Sequence, residues 1–347
     1  MSEQLRILVV RTDRIGDVVL STPLIRALRK SFPLAFIAAM VRPYAREVLL
    51  GNPHLNEVLL DDPIGKHAGR AGFWSQVKAL SRYNFDAAVV LLPKSRLTWM
   101  LFMAGIRKRV SVEVRLDHLL TLTKTVTRNK YVPLRHEADY CLDLGRAIGA
   151  SDDGLAVEVF LSEEERASAR ETLETLGMKK GKRLVGIHPG SGKSSPNWRV
   201  ERYAELAKFL LKDRGIQVVL TGSPDEAKLA TAFSGLDRDR MINTMGNTIR
   251  DMMGVISHLD VLVSSSTGAM HIAAGLRVPT VSLFCPLPAC SPQRWGPLGN
   301  YAEIVLPNEN FCQKQCPGDP HRCEFEDGIL PETVLTAVNR VLQRRLS

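Results

Sequence analysis

Along the first half of the chain, short unbroken apolar runs alternate with stretches whose apolar positions recur every three or four residues. Ile7 to Val10 (ILVV) is the first run, the pattern of a strand buried on both faces. From Val18 the apolar positions Val18, Leu20, Leu24, Ile25 and Leu28 fall at helical spacing and predict one helix. The alternation predicts further strands over 34–41, 57–60, 85–92 and 107–112, and helices over 44–50, 74–82, 95–104 and 136–148. Gly149 to Gly154 ends that last helix and offers a first boundary.

Residues 157–181 read as one strand and then a helix that starts at Ser162, where Glu165 completes a capping box. GMKKGK at 177–182 has the composition of a linker. After it the alternation restarts, with strands over 184–188, 218–221, 241–242, 261–263 and 280–284. Helices are expected over 201–212, 225–233, 249–258, 268–275 and 332–345. Two such blocks imply an α/β protein of two parallel-sheet domains, 1–176 and 177–330, with a terminal helix in 331–347 and a ligand cleft between the domains.

Composition adds class and charge. The chain has 347 residues, 45% of them hydrophobic, and a mean hydropathy near zero, as expected of a soluble globular protein. No charge-free apolar run approaches the ~20 residues of a membrane helix. The N-terminus enters a strand almost at once, which leaves no room for a signal peptide and predicts a cytoplasmic protein. The net charge of +9 is concentrated: ten basic and two acidic residues lie between Leu91 and Arg135. That density suggests a polyanionic partner, against the plainer reading of a solvated basic face. No nucleic-acid-binding module accompanies it, so nucleic acid is not the expected partner.

Candidate chemistry sits on loops after strands, where open α/β sheets bind ligands. Asp17 follows the first strand, either as a site carboxylate or as a plain helix cap; both readings stand. Gly190, Ser191 and Lys193, in HPGSGK, let backbone and donors approach a phosphate, although the spacing is not that of a Walker A loop. Ser266, Thr267, Gly268 and Ala269 open a helix whose free N–H groups suit an anion, with His271 as a contact or a packing residue. Gly222, Asn247 and Thr248 line the same edge or form ordinary turns. Among six cysteines, Cys312, Cys316 and Cys323 stand near His321 with no standard metal-ligand spacing, and free thiols are expected.

RIGDVVLSTPLIRALR, HPGSGKSSPNWRVERYAELA and STGAMHIAAGLRVPTVSLFCP, with RWGP at 294–297, resemble glycosyltransferase family 9, the ADP-heptose:lipopolysaccharide heptosyltransferases. The resemblance covers nearly the whole length, in order. It implies a GT-B fold of two Rossmann-like domains, acceptor-binding first and nucleotide-sugar-binding second, with the last helix packing back on the first domain. It implies Asp17 as general base in an inverting transfer, with Thr267, Gly268 and Ala269 at the donor diphosphate and Asn247 and Thr248 at the adenosine. The donor would be an ADP-sugar and the acceptor the anionic lipopolysaccharide core, met through Arg14, Gly16, Lys94 and Arg96 at the inner face of the inner membrane. No metal or other cofactor is needed. Two positions depart from the family pattern: Pro196 stands in place of a Lys, which makes Lys193 the candidate leaving-group cation, and Ser266 stands in place of an Asp. These departures keep other nucleotide-sugar donors open. A hydrolase or epimerase of the same fold, or a non-catalytic module binding sugar or a polyanion such as nucleic acid, are the other readings.

Overall fold

The computed structural model describes residues 4–127, 132–319, 322–325 and 327–344. Contacts divide the chain into two units, Met1–Val157 and Glu158–Ser347.

In the first unit, β1 (Arg6–Val10), β2 (Phe36–Val41), β3 (Glu57–Leu60), β4 (Ala87–Val90), β5 (Lys108–Val112) and β6 (Lys124–Val126) form a parallel sheet in the order β3-β2-β1-β4-β5-β6. The run that opens the sequence is central because both its faces are apolar: β1 pairs with β2 and β4, and Ile7 to Val10 are at most 1% exposed. The helices are α1 (Ile15–Val19), α2 (Thr22–Ser31), α3 (Gly69–Ser81), α4 (Ser95–Met103), α5 (Leu116–Leu120) and α6 (Glu137–Arg146). The single helix expected from Val18 is therefore two. Pro23 lies in the first turn of α2, where its missing N–H costs nothing but cannot continue α1. The Ser21 and Thr22 hydroxyls donate to the carbonyls of Val18 and Val19 at 2.6 and 2.8 Å. Val77 and Leu80 of α3, with Leu97 and Leu101 of α4, pack on Leu8, Val10 and Ala88 of the sheet, while α2 lies against α6.

The second unit repeats the winding. Its strands β7 (Arg183–His188), β8 (Ile216–Leu220), β9 (Met241–Asn243), β10 (Val261–Ser265), β11 (Thr280–Leu283) and β12 (Ala302–Val305) lie in the order β12-β11-β10-β7-β8-β9. Around them run α7 (Glu163–Thr175), α8 (Val200–Leu210), α9 (Ile249–Ile256), α10 (Gly268–Gly275), α11 (Pro292–Trp295), α12 (Glu309–Gln315) and α13 (Pro331–Arg344).

Three expectations need correction. The boundary precedes α7 rather than following it: α7 packs on α9, and Arg250 pairs with Glu165 at 2.5 Å. The GMKKGK stretch is a turn inside the second unit, pinned by fully buried Gln217, which accepts from Lys179 N at 2.6 Å and donates to Gly177 O at 2.9 Å. The last helix spends its apolar face on its own unit, where Val334, Val338 and Val341 join the core formed by α8 and the sheet. No strand forms over 157–162, and the sequence pattern missed α5, β6, α11, α12 and β12.

Candidate active site

Each sheet reverses its winding between two strands, β1 and β4 in the first unit and β7 and β10 in the second. Loops diverge there and leave a crevice at the carboxyl edge. The sequence candidates lie at these two places or on the loops beside them along the same carboxyl edges.

In the first unit β1 runs into Arg11, whose N–H donates to Met40 O at 3.0 Å and so extends the ladder by one residue. The Arg11 side chain is 4% exposed and gathers three carboxylates: Asp17 Oδ1 at 2.5 Å, Asp13 Oδ1 at 2.8 Å and Glu137 Oε1 at 3.4 Å. Burial works against a charged guanidinium, but these carboxylates and Cys141 more than offset it and hold Arg11 protonated well above its ordinary range. Asp13 responds the other way. Burial, aided by Asp17 and Glu137 and opposed by Arg11, lifts its carboxyl to about 6. Asp17 sits in the first turn of α1 with its side chain 17% exposed, and Arg14, exposed, is the N-cap residue. Its carboxylate is thus more than a cap: it is held from the side by Arg11. The Tyr44 hydroxyl donates to Asp13 O at 2.5 Å, tying this loop to the segment after β2.

Lys94 and Arg96 leave β4, the neighbour of β1 at the switch. Lys94 is exposed, whereas Arg96 donates to buried Asp61 at 2.6 Å and to His67 O at 3.0 Å. The basic segment is less free than its composition suggested. Arg115 pairs with Asp117, Arg135 with Asp139 and Asp143, and Arg109 is buried against the carbonyls of Ile106 and Thr121. Arg128 and Lys130 lie outside the described residues.

In the second unit, register places the candidate loops side by side. His188 lies opposite Ser264, Ile187 opposite Leu220, and Leu220 opposite Asn243. The loops after β10, β7, β8 and β9 therefore emerge in that order along one edge. They carry Ser266 to Ala269, Gly190 to Lys193, Gly222, and Asn247 with Thr248. Thr267 precedes α10 without capping it, and its buried hydroxyl has no partner among the described residues. The first-turn N–H groups of α10 are thus left without a side-chain acceptor from Thr267, as an anion site requires. His271, one turn in, is buried and engaged. Ser191 Oγ accepts from Lys193 N at 3.3 Å, and Lys193 is exposed in the left-handed region (φ 56°) at the tip of the turn. Thr248 caps α9 through its hydroxyl, while Asn247 faces a cavity of about 500 Å³ between α7 and α9.

Sequence reasoning missed Glu226 and His188. Glu226 Oε2 accepts from Ser223 N and Oγ, each at 2.9 Å, and stands 3.8 Å from His188 Nε2. Burial lowers the His188 pKa, against the pull of Glu226, and its Nδ1 lies 3.1 Å from Thr221 Oγ1. A side chain at Gly190 would overlap the Glu226 carboxylate, and one at Gly222 would strike Met245 Cε. Gly190 thus keeps room for the acid. The S/T-x-x-E pattern at Ser223 was the available signal. Pro196, at the departure noted above, is buried. The Asn197 after it donates to Pro189 O at 2.8 Å and accepts from Tyr203 at 2.9 Å, a structural tie for the Gly190 loop.

The cysteines are free thiols. Cys285, Cys312, Cys316 and Cys323 line one cavity of about 50 Å³. The hydrogen bond between Cys285 and Cys290 splits that pair, Cys285 rising and Cys290, beside Arg294, falling to about 7. No three Cys, His, Asp or Glu among the described residues group as metal ligands, and His321 lies outside them.

Two doubly wound units in one chain, one switch point lined by carboxylates and the other by glycines and an uncapped helix start, make a fold of the GT-B kind. Residues 73–321, well over half the chain, match the model of glycosyltransferase family 9 (heptosyltransferase), and the chain belongs to that family. It is 26% identical over 352 residues to lipopolysaccharide heptosyltransferase 2 of Escherichia coli, covering 97% of this chain and 99% of that one. Its fold matches the glycosyl transferase family 9 structure from Veillonella parvula with a TM-score of 0.85 and 21% identity over 99% of each chain. It matches the Escherichia coli ADP-heptose lipopolysaccharide heptosyltransferase II structure at 0.79 and 23%, over 99% and 100%. Membership sets aside the non-catalytic reading.

Proposed function

We propose that this enzyme moves a heptose from ADP-heptose to the anionic inner core of lipopolysaccharide with inversion, and that it works peripherally at the cytoplasmic face of the membrane. The observation that carries the reaction is the Arg11–Asp17 pair beyond β1 in a family 9 chain. An acceptor hydroxyl attacks the anomeric carbon while its proton passes to Asp17, and the bond from that carbon to the ADP oxygen breaks. Arg11 fixes Asp17 through Oδ1 and leaves Oδ2 to take the proton. The first-turn N–H groups of α10, Thr267 and Lys193 receive the charge that develops on the departing diphosphate. Lys94 and Arg14 meet acceptor phosphates. The lipopolysaccharide heptosyltransferases among its relatives support this choice of donor and acceptor.

The test is ADP release from ADP-heptose with and without a lipid A-type acceptor. Release should require acceptor and fall about a hundredfold to ten-thousandfold in Asp17→Asn, with ADP binding retained. Acceptor-independent release would make the enzyme a hydrolase, and no release would send the search to other nucleotide sugars. A second reading has its own observation: burial brings Asp13 closer to neutral pH, where a general base works best. If Asp13 is the base, Asp13→Asn abolishes the acidic limb of the pH–rate profile and Asp17→Asn only weakens acceptor binding.

A further inference from the structure

The first unit clusters exposed apolar side chains on two neighbouring helices. On α5, Leu116, Leu119 and Leu120 are 72%, 63% and 61% exposed, and Leu122 just beyond it is 85% exposed. Next to α5, α4 presents Trp99, Phe102 and Met103, with the two rings edge to face at 6.0 Å. Between α4 and α3 runs an open groove of about 570 Å³ lined by Phe73, Trp74, Trp99 and Met103, with Arg70 and Arg96 at its rim. Arg115 bonds Ser95 Oγ at 3.0 Å and so fastens the entry to α5 onto the start of α4. Folded soluble chains rarely leave so much contiguous apolar surface without using it.

We infer that α3, α4 and α5 form a membrane-docking face whose occupant is the surface of an anionic phospholipid bilayer. The leucines of α5 would insert, the two tryptophans would sit at headgroup depth, and the exposed cations Lys66, Arg70 and Lys94 would meet lipid phosphates. Charge decides against a second copy of the chain, because a two-fold contact through this face would bring its cations onto their own images. The leucines of α5 and the start of α3 lie at the carboxyl edge of the sheet that also carries Asp17, and Trp99, Phe102 and Met103 extend the face along α4 toward its far end. This inference deepens the membrane part of the proposed function and does not depend on which sugar is transferred.

The test uses the full chain without donor or acceptor. Its binding is measured to vesicles of phosphatidylethanolamine with phosphatidylglycerol, and to vesicles of phosphatidylcholine alone. Wild type should bind the anionic vesicles and release from them as salt rises. The Leu119→Ser/Leu122→Ser double variant should bind at least about tenfold more weakly, and Lys66→Gln and Arg70→Gln about fivefold more weakly each. Leu34→Ser, which alters an 84% exposed leucine elsewhere on the same unit, is the control and should bind as wild type. Circular dichroism melts verify that each variant is folded. Wild type that binds while the leucine variants bind equally well would overturn this face and leave peripheral association standing. Wild type that binds neither vesicle would overturn both. A solution dimer that the leucine variants dissociate, without vesicle binding, would reassign the face to self-association.

Discussion

Arg11 shows how much of a site one side chain can organise. Nearly excluded from water, it holds Asp13, Asp17 and Glu137 in charged contact. Removing one partner of such a buried cluster strands the others. Arg11→Met should therefore lower stability by about 3–5 kcal/mol, read by thermal or urea denaturation, with part of the loss recovered on acidification as the stranded carboxylates protonate. Asp13 gives a pH signature with a definite sign. Its carboxyl titrates at about 6 when folded, above its ordinary 3.8, so between those values the folded chain binds the extra proton. Its contribution to stability then falls as pH rises from about 4 to 6, by at most about 3 kcal/mol. Melting wild type and Asp13→Asn side by side isolates this term from the other carboxylates. The variant should gain on wild type across that window, and parallel curves would mean that Asp13 titrates normally in the fold.

At the scale of elements, the sequence was legible where one segment settles its own conformation. The strand over 57–60, the helix over 268–275 and the Ser162 capping box all stand where the pattern put them. It was less legible where a proline, a distant partner or a mixed composition decides. Pro23 split a helix whose apolar spacing was continuous, and α7 joined the second unit through Arg250, 85 residues away. Likewise Asp17 was visible in the sequence but its Arg11–Glu137 setting, spanning 126 residues, was not. The start of α10 offers the sharpest test here. Because the Thr267 hydroxyl is buried without a partner among the described residues, Thr267→Val removes no native hydrogen bond and should leave the melting temperature within a degree or two. The same change should weaken ADP binding roughly tenfold or more in calorimetry, the cost of a lost hydrogen bond to a charged group. Unchanged affinity would move the diphosphate elsewhere on the edge.

For the whole molecule, two cores mean two sites of resistance to unfolding. Leu206 is fully buried in the second unit's cluster, and Leu206→Ala should cost about 2–5 kcal/mol. Hydrogen exchange should report that cost in β7, β8 and β10 while the amides of β1, β2 and β4 keep their protection; equal acceleration in both sheets would show that the chain opens as one. The shared winding has a consequence for comparing the two halves: one six-stranded order is used twice, so each loop of one sheet has a topological counterpart in the other. Superposing β1–β6 on β7–β12 matches the Arg11 loop with the Pro189–Lys193 turn, and the Lys94 loop with Ser266–Ala269. On that alignment, equivalent corners of the two sheets carry opposite chemistry. One has filled with charge, and the other has emptied to glycine.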